Sequence, residues 1–162
     1  MSETSANWSP VVFAAACSDI GMRRANNQDS YAIVAASDAD KWQRSGDLLI
    51  VADGMGAHAA GELASRLSVE LIPHHFSKLN TKLEPSEALL RAFEETNREI
   101  NRRGTVNPEF RSMGTTTSAI LLLPTGGVIA HVGDSRVYRL RGQTFEQLTF
   151  DHSLVWEMQQ AG

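Results

Sequence analysis

Short apolar runs separated by polar stretches occupy the first third of the chain, a pattern that is typical of β-strands. Residues 11–17 and 30–36 are predicted to form strands, and the polar stretch at residues 37–46 is predicted to form a loop. Residues 48–52 are apolar throughout and are bounded by polar residues, as in an interior strand. This part of the chain is therefore expected to contribute three strands to a sheet.

Apolar residues then recur at helical spacing in two successive segments. In the first, they lie at positions i, i+3, i+4, i+7 and i+11, which places them on one face, and Pro73 is expected to end or kink the helix. The second helix is predicted to begin near Ser86, as its N-cap, and to stop at Gly104. The apolar face of the first helix consists of Ala60, Leu63, Ala64, Leu67 and Leu71.

The last third returns to short strands separated by turn sequences. A final helix is predicted to begin near Ser153. Runs of strands and runs of helices, rather than strict alternation, favour an α+β fold with antiparallel sheets. The 162 residues suit one domain, folded from residue 11 onward, with residues 1–10 frayed. The strands of this part are predicted at residues 115–123, 128–132, 136–140 and 144–149.

Composition and charge argue against several classes of protein. Fifteen Lys and Arg residues against nineteen Asp and Glu residues give a formal charge of −4, which argues against a nucleic-acid-binding surface. Every apolar run falls far short of the ~18 residues that a membrane span needs. The single cysteine, Cys17, cannot form an intramolecular disulfide, so a cytoplasmic location is expected, with Cys17 as an inert core thiol.

Three aspartates occupy similar positions next to predicted strands. Asp53 follows an apolar strand and precedes Gly54, Asp134 follows another strand, and Asp29 comes directly before a strand. Each alone fits an ordinary turn. Together, and without a cysteine or histidine cluster, they predict an all-oxygen site for Mg²⁺, Mn²⁺ or Ca²⁺ rather than Zn²⁺. Arg24 would suit a phosphate group beside such cations, and its alternative is a solvated surface arginine.

The glycine-rich segment at residues 54–61 allows a second interpretation. Gly54, Gly56 and Ala59 fit the pattern G-x-G-x-x-A after a strand and before a helix, which is typical of dinucleotide-binding loops. The negative charge of Asp53 and the helix that follows, where a second parallel strand is expected, argue against it. His58 in the same segment is the one histidine that suggests a proton donor, with an ordinary helix-start residue as the alternative.

Five segments in this order resemble the metal-dependent serine/threonine protein phosphatases of the type 2C family, in their bacterial form. The resemblance implies a β-sandwich of two antiparallel sheets flanked by helices, with a dinuclear Mn²⁺ or Mg²⁺ site at one end. It implies that a metal-activated water removes phosphate from phosphoserine or phosphothreonine in a protein substrate. The matching segments are residues 18–30, 51–62, 113–117, 131–138 and 148–153.

The resemblance also assigns roles to individual residues. It implies that Asp53 bridges both metals, that the Gly54 carbonyl binds one of them, and that Asp29 holds metal-bound water. It implies that Arg24 grips the substrate phosphate and that Asp134 belongs to a third, weaker metal site.

The sequence departs from the family pattern in three ways. Gln28 stands where the family usually has Glu, and Met55 stands where eukaryotic members have a proposed catalytic histidine. The sequence stops before the segment that normally carries two further aspartate ligands, so an incomplete domain with impaired activity is expected. The alternative is a non-catalytic module that binds a phosphorylated or regulatory protein. Exposed sheet edges would also favour a homodimer.

Overall fold

The computed structural model describes residues 9–56 and 59–152, and its main feature is an antiparallel sheet of five strands. The strand order is β1–β2–β4–β5, and the short β3 pairs with the far end of β2. Two more strands, β6 and β7, form a separate antiparallel hairpin. The strands are β1 (Asp29–Val34), β2 (Asp47–Met55), β3 (Gly114–Thr115), β4 (Thr117–Leu123), β5 (Gly126–Val132), β6 (Tyr138–Arg141) and β7 (Thr144–Gln147).

Three α-helices accompany the sheets in the part of the chain that the structure describes. They are α1 (Ala39–Ser45), α2 (Ala60–Leu79) and α3 (Pro85–Val106), and a 3₁₀ turn follows at Pro108–Phe110. The α+β fold with two antiparallel sheets and flanking helices is therefore confirmed. Among the described residues, no helix combines the length and the apolar character that crossing a bilayer requires.

The main hydrophobic core lies between one face of the sheet and the two long helices. Side chains of β2 alternate between faces, and Leu48 and Ile50 are 2% exposed because they point towards the helices. They pack with Leu121 from β4 and with Ile72 and Leu89 from the helices. The opposite face of the sheet lacks this cover among the described residues, and its apolar side chains remain partly exposed.

The predicted strand at residues 11–17 is wrong. This segment is assigned to no strand, and its side chains are mostly exposed, including Phe13 at 91%. Cys17 is exposed as well, so the prediction of a core thiol is also wrong. An apolar run becomes a strand only where another strand offers its backbone groups, and β1, the edge strand of the sheet, pairs only with β2 among the described residues.

One other prediction is wrong for a local reason, and one of the two outcomes predicted for Pro73, the end of the helix, is wrong for a tertiary reason. The predicted loop at residues 37–46 contains α1, which begins where the Asp38 carboxylate accepts a hydrogen bond from the Lys41 amide and ends at Gly46, with a φ of 63°. Pro73 does not end α2, which continues to Leu79. Ile72 and Phe76 are buried on either side of the proline, and this packing stabilises the helix across it.

The remaining elements match the predictions within a few residues. The predicted strand at residues 115–123 is divided into β3 and β4 at Thr116. Helix α3 begins at Pro85, one residue from the predicted start, but its N-cap is Glu84 and not Ser86. Three predictions fall outside the described residues, at least in part. They concern the frayed N-terminus, of which residues 1–8 are not described, His58, and the helix from Ser153.

Candidate functional site

Asp29 and Asp53 lie directly opposite each other on β1 and β2. The Gly54 amide donates to the Gln28 carbonyl at 3.1 Å, so this neighbouring pair is hydrogen-bonded. Because hydrogen-bonded and non-bonded pairs alternate along an antiparallel ladder, Asp29 and Asp53 form a non-bonded pair, with Cα atoms about 4.5 Å apart and close side chains. Like charges at such positions destabilise a sheet, so this pair requires a compensating interaction.

The pKa of Asp53 reflects this crowding. Partial burial is the largest cause that raises the pKa of Asp53, and the Asp29 charge and a side-chain hydrogen bond to Asp29 raise it further. The charge of Asp134 acts in the same direction, whereas the Arg24 guanidinium lowers the pKa. The structure therefore brings Arg24, Asp29 and Asp134 within electrostatic reach of Asp53.

The loop before β1 holds Asp29 by its backbone. The Asn27 side-chain oxygen accepts a hydrogen bond from the Asp29 amide at 3.0 Å, an Asx turn that sets the entry of the chain into β1. The Asn27 amide nitrogen also donates to the Ser18 hydroxyl at 2.7 Å. Asn27 is not among the site residues predicted from the sequence, although an asparagine two residues before an aspartate that begins a strand is a recognisable Asx-turn signal.

Helix α2 approaches β2 closely at two glycines. A Cβ atom on Gly54 would lie 2.1 Å from the Gly61 carbonyl oxygen, and a Cβ atom on Gly61 would lie 2.9 Å from the Gly54 backbone. Neither position has room for a side chain. Gly54, the first glycine of the pattern that suggested a dinucleotide-binding loop, therefore has a different physical role, because together with Gly61 it allows α2 to pack directly against the strand that carries Asp53.

A second set of hydrogen bonds links Asp53 with the loop that carries Asp134. The Thr116 hydroxyl accepts from the Asp53 amide at 3.2 Å and is hydrogen-bonded to the Ser135 hydroxyl at 2.7 Å. The Asp53 carbonyl accepts from the Thr115 hydroxyl at 2.9 Å. Thr116, at the break between β3 and β4, thus connects Asp53 with Ser135, the residue after Asp134, a role that strand periodicity alone does not indicate.

The aspartates line an open surface, because Asp29, Asp53 and Asp134 are all exposed. A groove of about 450 Å³ runs beside them, lined by residues 15–18, 29–31 and 51–53 and by Ser135. Arg24 is exposed in the loop that precedes β1. Gly54 is buried, and what it offers a ligand is its backbone carbonyl.

These residues fit part of a divalent-cation site. Two adjacent carboxylates and a backbone carbonyl are the hard oxygen donors that Mg²⁺ and Mn²⁺ prefer, and a cation would offset the repulsion between Asp29 and Asp53. Within residues 9–56 and 59–152, however, no three Asp, Glu, His or Cys side chains converge closely enough to hold a metal ion. The described part of the chain therefore offers some of the oxygen donors that such a site would use, and further ligands would have to come from outside it.

Two further features, a histidine and the dinucleotide-binding pattern, add no chemistry to this site. His131 is hydrogen-bonded to the Ser118 hydroxyl at 2.8 Å and to the Phe150 carbonyl at 3.0 Å, so both of its ring nitrogens make structural contacts. The dinucleotide-binding interpretation is wrong, because every strand pair among the described residues is antiparallel.

Comparison with known proteins gives a consistent result. The family model described as protein phosphatase 2C matches residues 22–155. Protein phosphatase PhpP of Streptococcus pneumoniae is 36% identical over 146 residues, which is 89% of this chain and 56% of that protein. This chain therefore spans little more than half the length of that relative.

Solved structures agree with this match. The serine/threonine phosphatase PstP/Ppp of Mycobacterium tuberculosis has a TM-score of 0.73 and 38% identity, covering 91% of this chain and 58% of that one. A catalytic domain of PstP in complex with two manganese ions also has a TM-score of 0.73, with 36% identity over 91% of this chain and 59% of that one. On its sequence and on its fold, the chain belongs to the protein phosphatase 2C family.

Proposed function

We propose that Asp53, Asp29 and the Gly54 carbonyl belong to a Mn²⁺- or Mg²⁺-dependent centre that removes phosphate from phosphoserine and phosphothreonine in proteins. The observation that carries this proposal is the directly opposed pair Asp29 and Asp53, a repulsive arrangement that a cation would stabilise. Membership of the phosphatase family supplies the reaction class. When bound, such cations activate water and neutralise phosphoryl oxygens.

The other residues of the site would bind and orient the substrate. Arg24 is an exposed guanidinium within electrostatic reach of Asp53, and a guanidinium offers a phosphate group two parallel donors. We assign Arg24 to substrate phosphate. Asp29 would accept a hydrogen bond from water at the centre, and Asp134 would add negative charge for a weaker third cation. The substrate would be an exposed phosphorylated segment of a protein, because the groove is open to solvent.

The test is Mn²⁺-dependent release of phosphate from a phosphothreonine peptide, compared between the wild-type chain and Asp53→Asn. Asp40→Asn is the matched control, because Asp40 is an exposed carboxylate on α1, near the opposite end of β2. Because further ligands have to come from outside the described residues, we expect slow phosphate release from the wild type and from Asp40→Asn, and a further loss of at least about tenfold in Asp53→Asn. Arg24→Lys should raise KM, because lysine keeps the charge but loses the paired donors.

The same assay distinguishes the alternative function. Because no three ligand side chains converge among the described residues, catalysis requires ligands from outside them. A chain that releases no phosphate, yet binds the phosphothreonine peptide through Arg24, would be a phosphopeptide-binding module. Equal phosphate release by the wild type and Asp53→Asn would contradict the metal centre itself.

We also propose that two copies associate through the free edge of β1. This strand pairs only with β2 among the described residues, and Tyr31 and Ile33 on it are 47% and 41% exposed. Sedimentation velocity over a dilution series should show a concentration-dependent dimer, and Ile33→Lys should weaken it. A monomer at every concentration would contradict this proposal. A cytoplasmic location and a signalling role remain predictions from the single cysteine and the reaction class.

A further inference from the structure

The buried hydroxyl of Ser65 on α2 contacts the backbone and side chains on both sides of Asp29. Ser65 is fully buried, at 0% exposure. Its Oγ lies 2.6 Å from the Gln28 carbonyl oxygen and 3.0 Å from the Ser30 Oγ. Gln28 and Ser30 are the two sequence neighbours of Asp29, so a single side chain of the helix holds the strand on either side of this carboxylate.

The directions of these hydrogen bonds follow from the single hydroxyl proton of Ser65. Its Oγ also lies 3.1 Å from the Glu62 carbonyl, an ordinary contact within the helix. The Gln28 carbonyl oxygen, at 2.6 Å, is the closer acceptor, so the Ser65 hydroxyl donates its hydrogen bond to it. Ser65 Oγ then has lone pairs to accept the hydrogen bond that the Ser30 hydroxyl donates.

The Gln28 carbonyl connects this contact to Asp53. It accepts the Ser65 hydroxyl and also the Gly54 amide, at 3.1 Å, so Asp29 and the Asp53–Gly54 backbone are linked to α2 through one oxygen. The close approach of Gly61 to Gly54 keeps the helix against the strand at the same place. The two like charges of Asp29 and Asp53 push their strands apart, and this junction resists that separation.

We propose that Ser65 is a positioning residue that fixes Asp29 beside Asp53 and so sets the affinity of the pair for a divalent cation. This inference rests on the proposed function, because it takes Asp29 and Asp53 as groups that face the cation. Partners behind metal-binding groups commonly change metal affinity 10- to 100-fold when they are removed. Ser65 touches no substrate or cation and acts through Asp29.

The experiment measures Mn²⁺ binding to the full chain by the electron paramagnetic resonance signal of free Mn²⁺, so no catalysis is needed. Ser65→Ala should weaken binding about tenfold. Ser68→Ala is the matched control, because Ser68 is 2% exposed and lies on the same helix, and it should bind Mn²⁺ within about twofold of wild type. Ser30→Ala breaks the same junction from the strand side, and we expect a smaller loss.

A double-mutant cycle separates positioning from general destabilisation. If Ser65 acts through Asp29, Ser65→Ala should weaken Mn²⁺ binding no more than about twofold in an Asp29→Asn background. An equal loss in both backgrounds, or wild-type binding by Ser65→Ala and Ser30→Ala, would overturn the role of Ser65 and leave the proposed function standing. Binding that Asp53→Asn leaves unchanged would overturn the proposed function and this inference together.

Discussion

The two faces of the five-stranded sheet differ in what covers them. On one face, Leu48, Ile50 and Leu121 are 2% exposed or less, because α2 and α3 pack on them. On the other face, the apolar side chains of the described residues remain partly exposed, and Val51 is 48% exposed. Asp53 follows Val51 on this open face, two residues further along the same strand.

The two faces therefore contribute different properties, the covered face to stability and the open face to chemistry. The covered face supplies the buried apolar area that stabilises the fold. The open face holds two adjacent carboxylates, which reduce stability but are available to a ligand. The same strand, β2, serves both purposes because its side chains alternate with a period of two.

The largest effect should come from truncating the covered face. Leu121→Ala removes a fully buried side chain and should lower the free energy of unfolding by about 2–5 kcal/mol. Ile33→Ala, on the open face, should lower it by about 1 kcal/mol or less because Ile33 is already 41% exposed. Urea denaturation at micromolar concentration measures both values. Equal losses would mean that the open face is covered in solution.

The second largest effect should come from the contact between α2 and β2 at Gly54. Gly54→Ala places a Cβ atom 2.1 Å from the Gly61 carbonyl, and we expect a loss of about 3 kcal/mol as the helix is displaced. Gly127→Ala is the control, because its nearest neighbouring atom lies 3.5 Å away on the same sheet. Urea denaturation of the two variants should differ clearly, and similar midpoints would show that α2 moves at no cost.

A smaller effect is expected in the pH dependence of the free energy of unfolding, through Asp53 on the open face. Burial and the Asp29 charge raise the pKa of Asp53 above its ordinary value of 3.8, so the folded chain keeps a proton that the unfolded chain has lost. Without metal, this residue therefore makes stability fall as pH rises from about 4 through the raised pKa. Asp53→Asn has no carboxylate to ionise at this position, so its stability should not fall in this way.

The measurement is urea denaturation of the wild type and Asp53→Asn between pH 3 and pH 8 with a chelator present. The two proteins should be similar at the acidic end, and the variant should become relatively more stable as pH rises. A difference that stays constant over the whole range would mean that the repulsion between the aspartates is already relieved in the metal-free chain.

The smallest effect lies on the outer surface of α3. Hydrogen bonds to Arg102 and Arg103 lower the pKa of Glu99 to about 2. The resulting stabilisation is fully present above about pH 4.5 and is lost as pH falls towards 2. Glu99→Gln should therefore differ from wild type above pH 4.5 and converge with it in acid, as thermal denaturation can measure.

The control for this comparison is Glu94→Gln, which removes another ion-paired carboxylate from the same helix. A Glu99→Gln difference that persists at pH 2 would assign its effect to helix propensity instead of charge. Exposed ion pairs contribute little to stability, so this change should be far smaller than that of Leu121→Ala.

Prediction from the sequence succeeded where the signal was local. The interior strand around Ile50 and the two long helices are clear because their apolar residues recur with the period of each element. The acidic residues at Asp29 and Asp53 were recognisable from their positions beside apolar strands. Helix α1 was missed although both of its caps, Asp38 and Gly46, are visible in the sequence.

Prediction failed where a second element decides the outcome. Residues 11–17 have the composition of a strand, but no described strand pairs with them, and Pro73 continues a helix because its neighbours are buried. The roles of Ser65 and Thr116 are equally invisible in the sequence, because these hydroxyls act through partners that lie 19 to 63 residues away along the chain.

The sequence by itself determined the period of each element, the placement of aspartates beside strands and the family resemblance. These properties follow from local backbone geometry and from residues that are neighbours along the chain. Only the tertiary structure decided that Asp29 and Asp53 face each other and that one serine holds their strands to α2. Such contacts depend on the register between strands and on the distance between layers, and packing of the whole core sets both.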